Sequence, residues 1–193
     1  MIAEWRGDWG ALLPFGIVQL PSSKWTTARI AQLNVSRSVG NAFLVVTSDL
    51  PGSNQLHPTV KYPVGIRSSI GARGAIYGEP IEYSGPLAAP TSFVSGNTVV
   101  VDFTHVGNGL ATTGGSAPST FQVAAANGQY VSATATIVGT TIQVSANRVS
   151  TPKRLRYGFA GAGNLINLVN VPTEGGTKTV TSLPASLFQL DFP

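Results

Sequence analysis

The stretch Ala42-Phe-Leu-Val-Val-Thr-Ser-Asp49, followed by Pro51-Gly-Ser-Asn-Gln-Leu-His-Pro-Thr-Val60, decides how the first part of the chain folds. The apolar run is the right length for a strand buried on both faces. Pro63 then suits the first turn of a helix that runs to Tyr77 and stops at Gly78. Within it Ile66, Ile70 and Tyr77 recur at roughly helical spacing. Upstream, Phe15-Gly-Ile-Val-Gln-Leu20 is a second apolar run, closed by Pro21. Ser22 or Ser23 can cap a helix over residues 24–38, and Gly40 can end it. Strand, helix, strand, helix predicts a parallel sheet with covering helices over residues 1–85. His57 then falls beyond the carboxyl end of a strand, where open parallel sheets carry their chemistry. Histidine is also the side chain whose ordinary pKa suits proton transfer near neutrality.

The pattern changes after Pro86, where no convincing helix remains. Residues 98–105, 120–124, 130–138, 141–145 and 154–159 read as short, often alternating strands. Ser95-Gly-Asn97, Asn127-Gly128 and Gly139-Thr140 separate them as turns. Asn127-Gly128 between two strand-like runs predicts a hairpin. Gly107-Asn-Gly109 and Gly114-Gly115 read as a flexible connection. The fold class expected is therefore α/β followed by all-β, with an antiparallel β-sandwich over residues 86–193.

Of the 193 residues 42% are hydrophobic and only 10% charged, against about a quarter charged in ordinary domains. Such a chain folds, since its β-branched and aromatic residues can fill a core. The net charge of +4 is diffuse, and the one tight cluster, Lys153-Arg154-Leu155-Arg156, reads as the basic face of a strand. Nucleic acid is thus not an expected partner. Cysteine is absent, which excludes disulfides and a thiolate nucleophile. Two histidines far apart and eight scattered acids give no metal-ligand spacing. No apolar run reaches transmembrane length, and Met1-Ile-Ala-Glu-Trp-Arg-Gly-Asp-Trp9 lacks the apolar stretch of a secretion signal.

Several blocks, in order, resemble the C-terminal part of sialate O-acetylesterase-like carbohydrate esterases of the SGNH hydrolase group. Leu13-Pro-Phe-Gly-Ile-Val-Gln-Leu20 is similar to that family's Phe-Pro-Phe-x-x-Val-Gln-Leu strand, and Leu56-His-Pro58 to its Ile-His-Pro block. Met1-Ile-Ala-Glu-Trp-Arg6, Gly71-Ala-Arg-Gly-Ala-Ile-Tyr-Gly78, Tyr83-Ser-Gly-Pro86, Thr104-His-Val-Gly-Asn-Gly-Leu110 and Leu183-Pro-Ala-Ser-Leu-Phe188 complete the resemblance. It implies a serine esterase acting on O-acetylated sugars or small esters without cofactor or metal. A serine attacks the ester, a histidine takes its proton, and backbone and amide groups hold the oxyanion. His57 inherits the general-base position. Family members carry the nucleophile and the oxyanion Asn in blocks N-terminal to the part matched here, and neither block occurs in this chain. A complementary N-terminal chain or a homo-oligomer is then the expected partner.

The other candidates stay open at this point. The SGNH pattern places Asp three residues before the His, and Asn54 stands there instead. Asp49 is the nearest carboxylate in sequence, so Asp49 and Asn54 compete as orienter of His57, with Asp49 also suited to capping the turn. Glu79 and Glu82 are the other acids near this segment. An internal nucleophile would be Ser22, Ser48 or Ser53, none of them in a Gly-x-Ser-x-Gly setting, with Ser53 the least implausible. His105 reads as structural. Trp5, Trp9 and Trp25 suit packing of helices on the sheet, or stacking on a sugar. The competing function is a non-catalytic β-rich module for carbohydrate binding or assembly.

Overall fold

The computed structural model of the chain describes residues 1–21, 23–50, 52, 56–57, 59–159, 166–173 and 181–193. Helix α1 (Ile2–Trp9) leads into strand β1 (Phe15–Val18), helix α2 (Thr26–Ser38), strand β2 (Ala42–Val45) and helix α3 (Tyr62–Ala75). β1 and β2 pair in parallel from Phe15 opposite Ala42 to Val18 opposite Val45, with α2 as the crossover. Pro63 occupies the first turn of α3, where its missing N–H costs no helical hydrogen bond. Gly71 and Gly74 let α3 lie close to its neighbours. A Cβ on Gly71 would stand 2.3 Å from the Phe43 ring, and one on Gly74 2.4 Å from Tyr83. α1 buries none of its residues. So short a helix is marginal by itself, and Arg6 holds it by donating to the Leu13 carbonyl at 2.8 Å and to the Gly40 carbonyl at 2.8 Å.

The remaining strands are β3 (Leu87–Ala88), β4 (Phe93–Ser95), β5 (Thr98–Thr104), β6 (Gly109–Thr112), β7 (Phe121–Ala124), β8 (Tyr130–Ser132), β9 (Thr134–Val138), β10 (Thr141–Ser145), β11 (Arg154–Tyr157), β12 (Leu168–Val171) and β13 (Phe188–Asp191). They form one antiparallel sheet in the order β3-β5-β10-β9, with β4 also on β5, a second in the order β13-β11-β7-β8, and a two-stranded pair of β12 with β6. Alternate residues point inward, so Val99, Val101, Ile142 and Val144 of the first sheet meet Phe121, Val123, Leu155 and Tyr157 of the second in one core. Each fully buried side chain of this kind contributes roughly 1.5–3 kcal/mol. Phe188 stacks on Tyr157 at 5.4 Å and meets Phe103 edge-on at 5.7 Å. The chain as a whole is a mixed fold of few helices and many antiparallel strands.

Two sequence expectations need correcting. The glycine-bearing stretch after residue 107 is not a loose connection, because Gly109–Thr112 pairs as β6 with β12. Glycine serves close backbone approach here: a Cβ on Gly107, at φ +59°, would sit 2.2 Å from the Val171 carbonyl oxygen. The run 130–138 is also not one strand. It breaks at Ala133, whose N–H donates to the Phe121 carbonyl at 3.0 Å. β8 pairs with β7 in one sheet and β9 with β10 in the other, so the chain changes sheets within this run. At Asn127-Gly128 the expected hairpin between β7 and β8 is found, closed by the longer loop 125–129 instead of a two-residue turn, with Gly128 at φ +73°.

Buried and partly buried hydrogen bonds tie the helical part to the strands. Gln19 donates to Ser186 Oγ at 2.9 Å, and Arg37 to the Ala88 carbonyl at 3.0 Å. Asn170, 1% exposed, uses its whole amide: it donates to the Ser84 and His105 carbonyls and accepts from the Leu183 N–H at 2.7 Å. That bracket presses residues 84–85 against 183–184.

Candidate active site

The carboxyl ends of β1 and β2 carry a dense polar floor. Gln19 continues the ladder by donating its N–H to the Val45 carbonyl at 2.9 Å. Its fully buried amide nitrogen donates to the Arg29 carbonyl at 3.0 Å as well as to Ser186. Thr47 Oγ1 donates to the Gln19 carbonyl at 2.8 Å. Arg29, 1% exposed, sends Nη2 to Ser48 Oγ at 2.6 Å and Nη1 to the Gly158 carbonyl at 3.2 Å, while its buried Nε has no partner. Burial lowers the Arg29 pKa to about 10, partly offset by the Tyr157 oxygen. Burial raises Tyr157, the Leu168 N–H donating to its oxygen acts the other way, and the charge on Asp49 adds to the rise.

Asp49 is gripped by Arg67 from the second turn of α3. Nη1 reaches Oδ1 at 2.7 Å and Nη2 reaches Oδ2 at 2.6 Å, with Nη1 also donating to the Val46 carbonyl at 2.7 Å. Both side chains are largely buried, at 13% and 16% exposure. This fork fixes the start of α3 against the end of β2. His57 is exposed on the loop between those two elements, and among the described residues no hydrogen bond or ion pair joins it to Asp49. Asn54, Ser53 and Ser22 lie outside the described residues. Ser48 is buried and its oxygen accepts from a guanidinium, an arrangement that does not remove its proton.

His105 directly follows β5, with φ +58°. Its Nδ1 is 2.7 Å from Glu82 Oε1 and its ring meets Tyr83 edge-on at 5.1 Å. Glu79 pairs with Arg73 at 2.8 Å. Trp5 and Trp9 are exposed, and the Trp5 ring lies 6.1 Å from Phe15. Sequence reasoning singled out His57, Asp49 and Ser48 but not Gln19, Arg29 or Arg67. A signal existed for Arg29, which shares the buried face of α2 with Leu33 four residues on.

The Asp49–Arg67 fork has a measurable strength. Arg67→Met is expected to cost about 2–3 kcal/mol of unfolding free energy, because it leaves a largely buried carboxylate unpaired. Chemical denaturation of Arg67→Met, Asp49→Asn and the double variant should return a coupling of about 2 kcal/mol. Additive losses would mean the fork is idle.

A carbohydrate acetylesterase from Xanthomonas citri is similar in structure over 99% of this chain, with a TM-score of 0.84 and 29% sequence identity. The chain spans 44% of the length of that protein. No protein-family model matches the chain, and no curated protein matches it in sequence. The fold is thus shared with part of a carbohydrate acetylesterase.

Proposed function

We propose that this chain is the histidine-bearing part of a serine esterase that removes O-acetyl groups from carbohydrate, of the sialate O-acetylesterase type. The observation that carries the reading is the near end-to-end likeness to a carbohydrate acetylesterase. In this reading residues 1–85 form a partial SGNH-like α/β segment, and 86–193 a β-sandwich. His57 takes the proton as a serine oxygen attacks the acetyl carbonyl, and returns it to the sugar oxygen as the tetrahedral intermediate collapses. Water, deprotonated by the same imidazole, then releases acetate from the acyl-serine. Asp49 is engaged at both oxygens by Arg67, which favours it as the anchor of α3 and Asn54 as the group orienting the imidazole.

The serine and the oxyanion donors come from sequence outside this chain. The Arg29 grip on Ser48 supports that, and so does the flank of β1 that no other described strand covers. Strands of parallel sheets are ordinarily enclosed, yet β1 exposes Gly16 and Val18. The amide of Gln32 covers only the end of this edge, donating to the Val18 carbonyl at 3.1 Å and accepting from the Leu20 N–H at 2.9 Å. Trp5, whose ring lies 6.1 Å from Phe15, is exposed, as are Trp9 and Leu12 just before β1, and they offer apolar surface for a complementary chain or a second copy.

The test joins residues 1–193 to the portion of the Xanthomonas acetylesterase outside the shared 44%. The hybrid should hydrolyse 4-nitrophenyl acetate and take up one fluorophosphonate, mapped by mass spectrometry to the added portion. A folded but inactive hybrid would leave the binding or assembly reading in its place. An adduct within residues 1–193 would put the nucleophile inside the chain instead.

A further inference from the structure

A groove of about 460 Å³ runs between α2 and β13, separate from the polar floor of the candidate active site. Its volume lies in the range of small-molecule sites, roughly 300–1,000 Å³. We infer that this groove binds a short, uncharged, hydroxyl-rich ligand, a saccharide, along α2.

The lining argues for that class. Thr26, Asn34 and Arg37 come from one side of α2, while Gln189 and Asp191 come from β13. Hydroxyls and amides both donate and accept, which is what a ring of hydroxyl groups requires. The one cation and one anion of the lining are both engaged, Arg37 by donating to the Ala88 carbonyl and Asp191 by lying 3.4 Å from Arg154, so neither is left free to select a charged ligand. Phe159 and Ile30 supply apolar surface for the C–H face of a sugar ring. β13 is the last strand of its sheet, so among the described residues one row of its backbone donors and acceptors faces no further strand.

Position strengthens the case. Thr26 stands one helical turn before Arg29, which holds Ser48 and Gly158 at the strand ends. The groove therefore begins beside the candidate active site and runs away from it, as the path of a chain bearing an acetyl group would. The inference deepens the esterase reading by giving the sugar a place, but it concerns binding and is tested without turnover.

The experiment titrates the 193-residue chain with xylohexaose, cellohexaose and chitohexaose by calorimetry, beside Asn34→Ala/Gln189→Ala, a pair of exposed side chains. At least one oligosaccharide should bind with Kd of about 0.1–1 mM. The double variant should bind at least tenfold more weakly at an unchanged melting temperature. Failure of a folded chain to bind any of the three would overturn the inference, as would equal binding by the double variant. Binding retained alongside an inactive hybrid would defeat the esterase reading alone.

Discussion

Alanine at His57 is expected to lower kcat of the hybrid enzyme on acetylated sugars by about 10³-fold, with KM little changed, if His57 is the base proposed above. A serine hydroxyl holds its proton far above neutral pH, so attack needs a base placed at its oxygen. Losing that base raises the barrier by about 4 kcal/mol at 1.36 kcal/mol per tenfold, and it touches only the step in which the proton moves. Remaining catalysis comes from the oxyanion donors and from binding. His57 is exposed and makes no hydrogen bond among the described residues, so the folded state gives up little. The unfolding free energy should change by no more than an exposed substitution allows, within about 0.5 kcal/mol, with the melting temperature nearly unmoved. Steady-state kinetics beside thermal melts separates the two effects. Undiminished turnover in His57→Ala would end the general-base assignment.

Gly85→Ala carries the largest expected loss of stability. A Cβ there would stand 1.9 Å from the Pro184 carbonyl oxygen and 2.9 Å from that of Leu183. Both obstacles are backbone, so no rotamer change relieves them. The two segments cannot simply part, because Asn170 brackets Ser84 on one side and Leu183 on the other. Separating them breaks buried amide hydrogen bonds as well as packing. The combined cost is about 3 kcal/mol, at the upper end of overpacking. For a chain of this length that lowers Tm by about 6–12 °C. Scanning calorimetry decides it, and a Tm within a degree of the parent would contradict the close approach.

Elements held together by their own periodicity were legible in the sequence. The runs at 15–20 and 42–47, the helices around 24–38 and 63–77, and the strand at 141–145 all appear, the last with the same bounds. β6 was hidden because its strand character comes from β12, nearly sixty residues later, and not from its glycine-bearing sequence. The switch at Ala133 was hidden for a related reason: alternation continues through a point where the partner sheet changes. In the candidate site, His57 and Asp49 could be named from their place after a strand. Arg67 could not, because its role depends on α3 folding back over the end of β2.

The amide of Gln32 has a further consequence for whatever strand adds to β1. It occupies the rungs at Val18 and Leu20, so an incoming strand can extend its ladder only along the earlier part of β1, around Gly16. A one-residue slip turns every side chain of a strand to the opposite face. A fixed stop at one end of an otherwise open edge acts as a ruler, setting the register in which a newcomer is accepted.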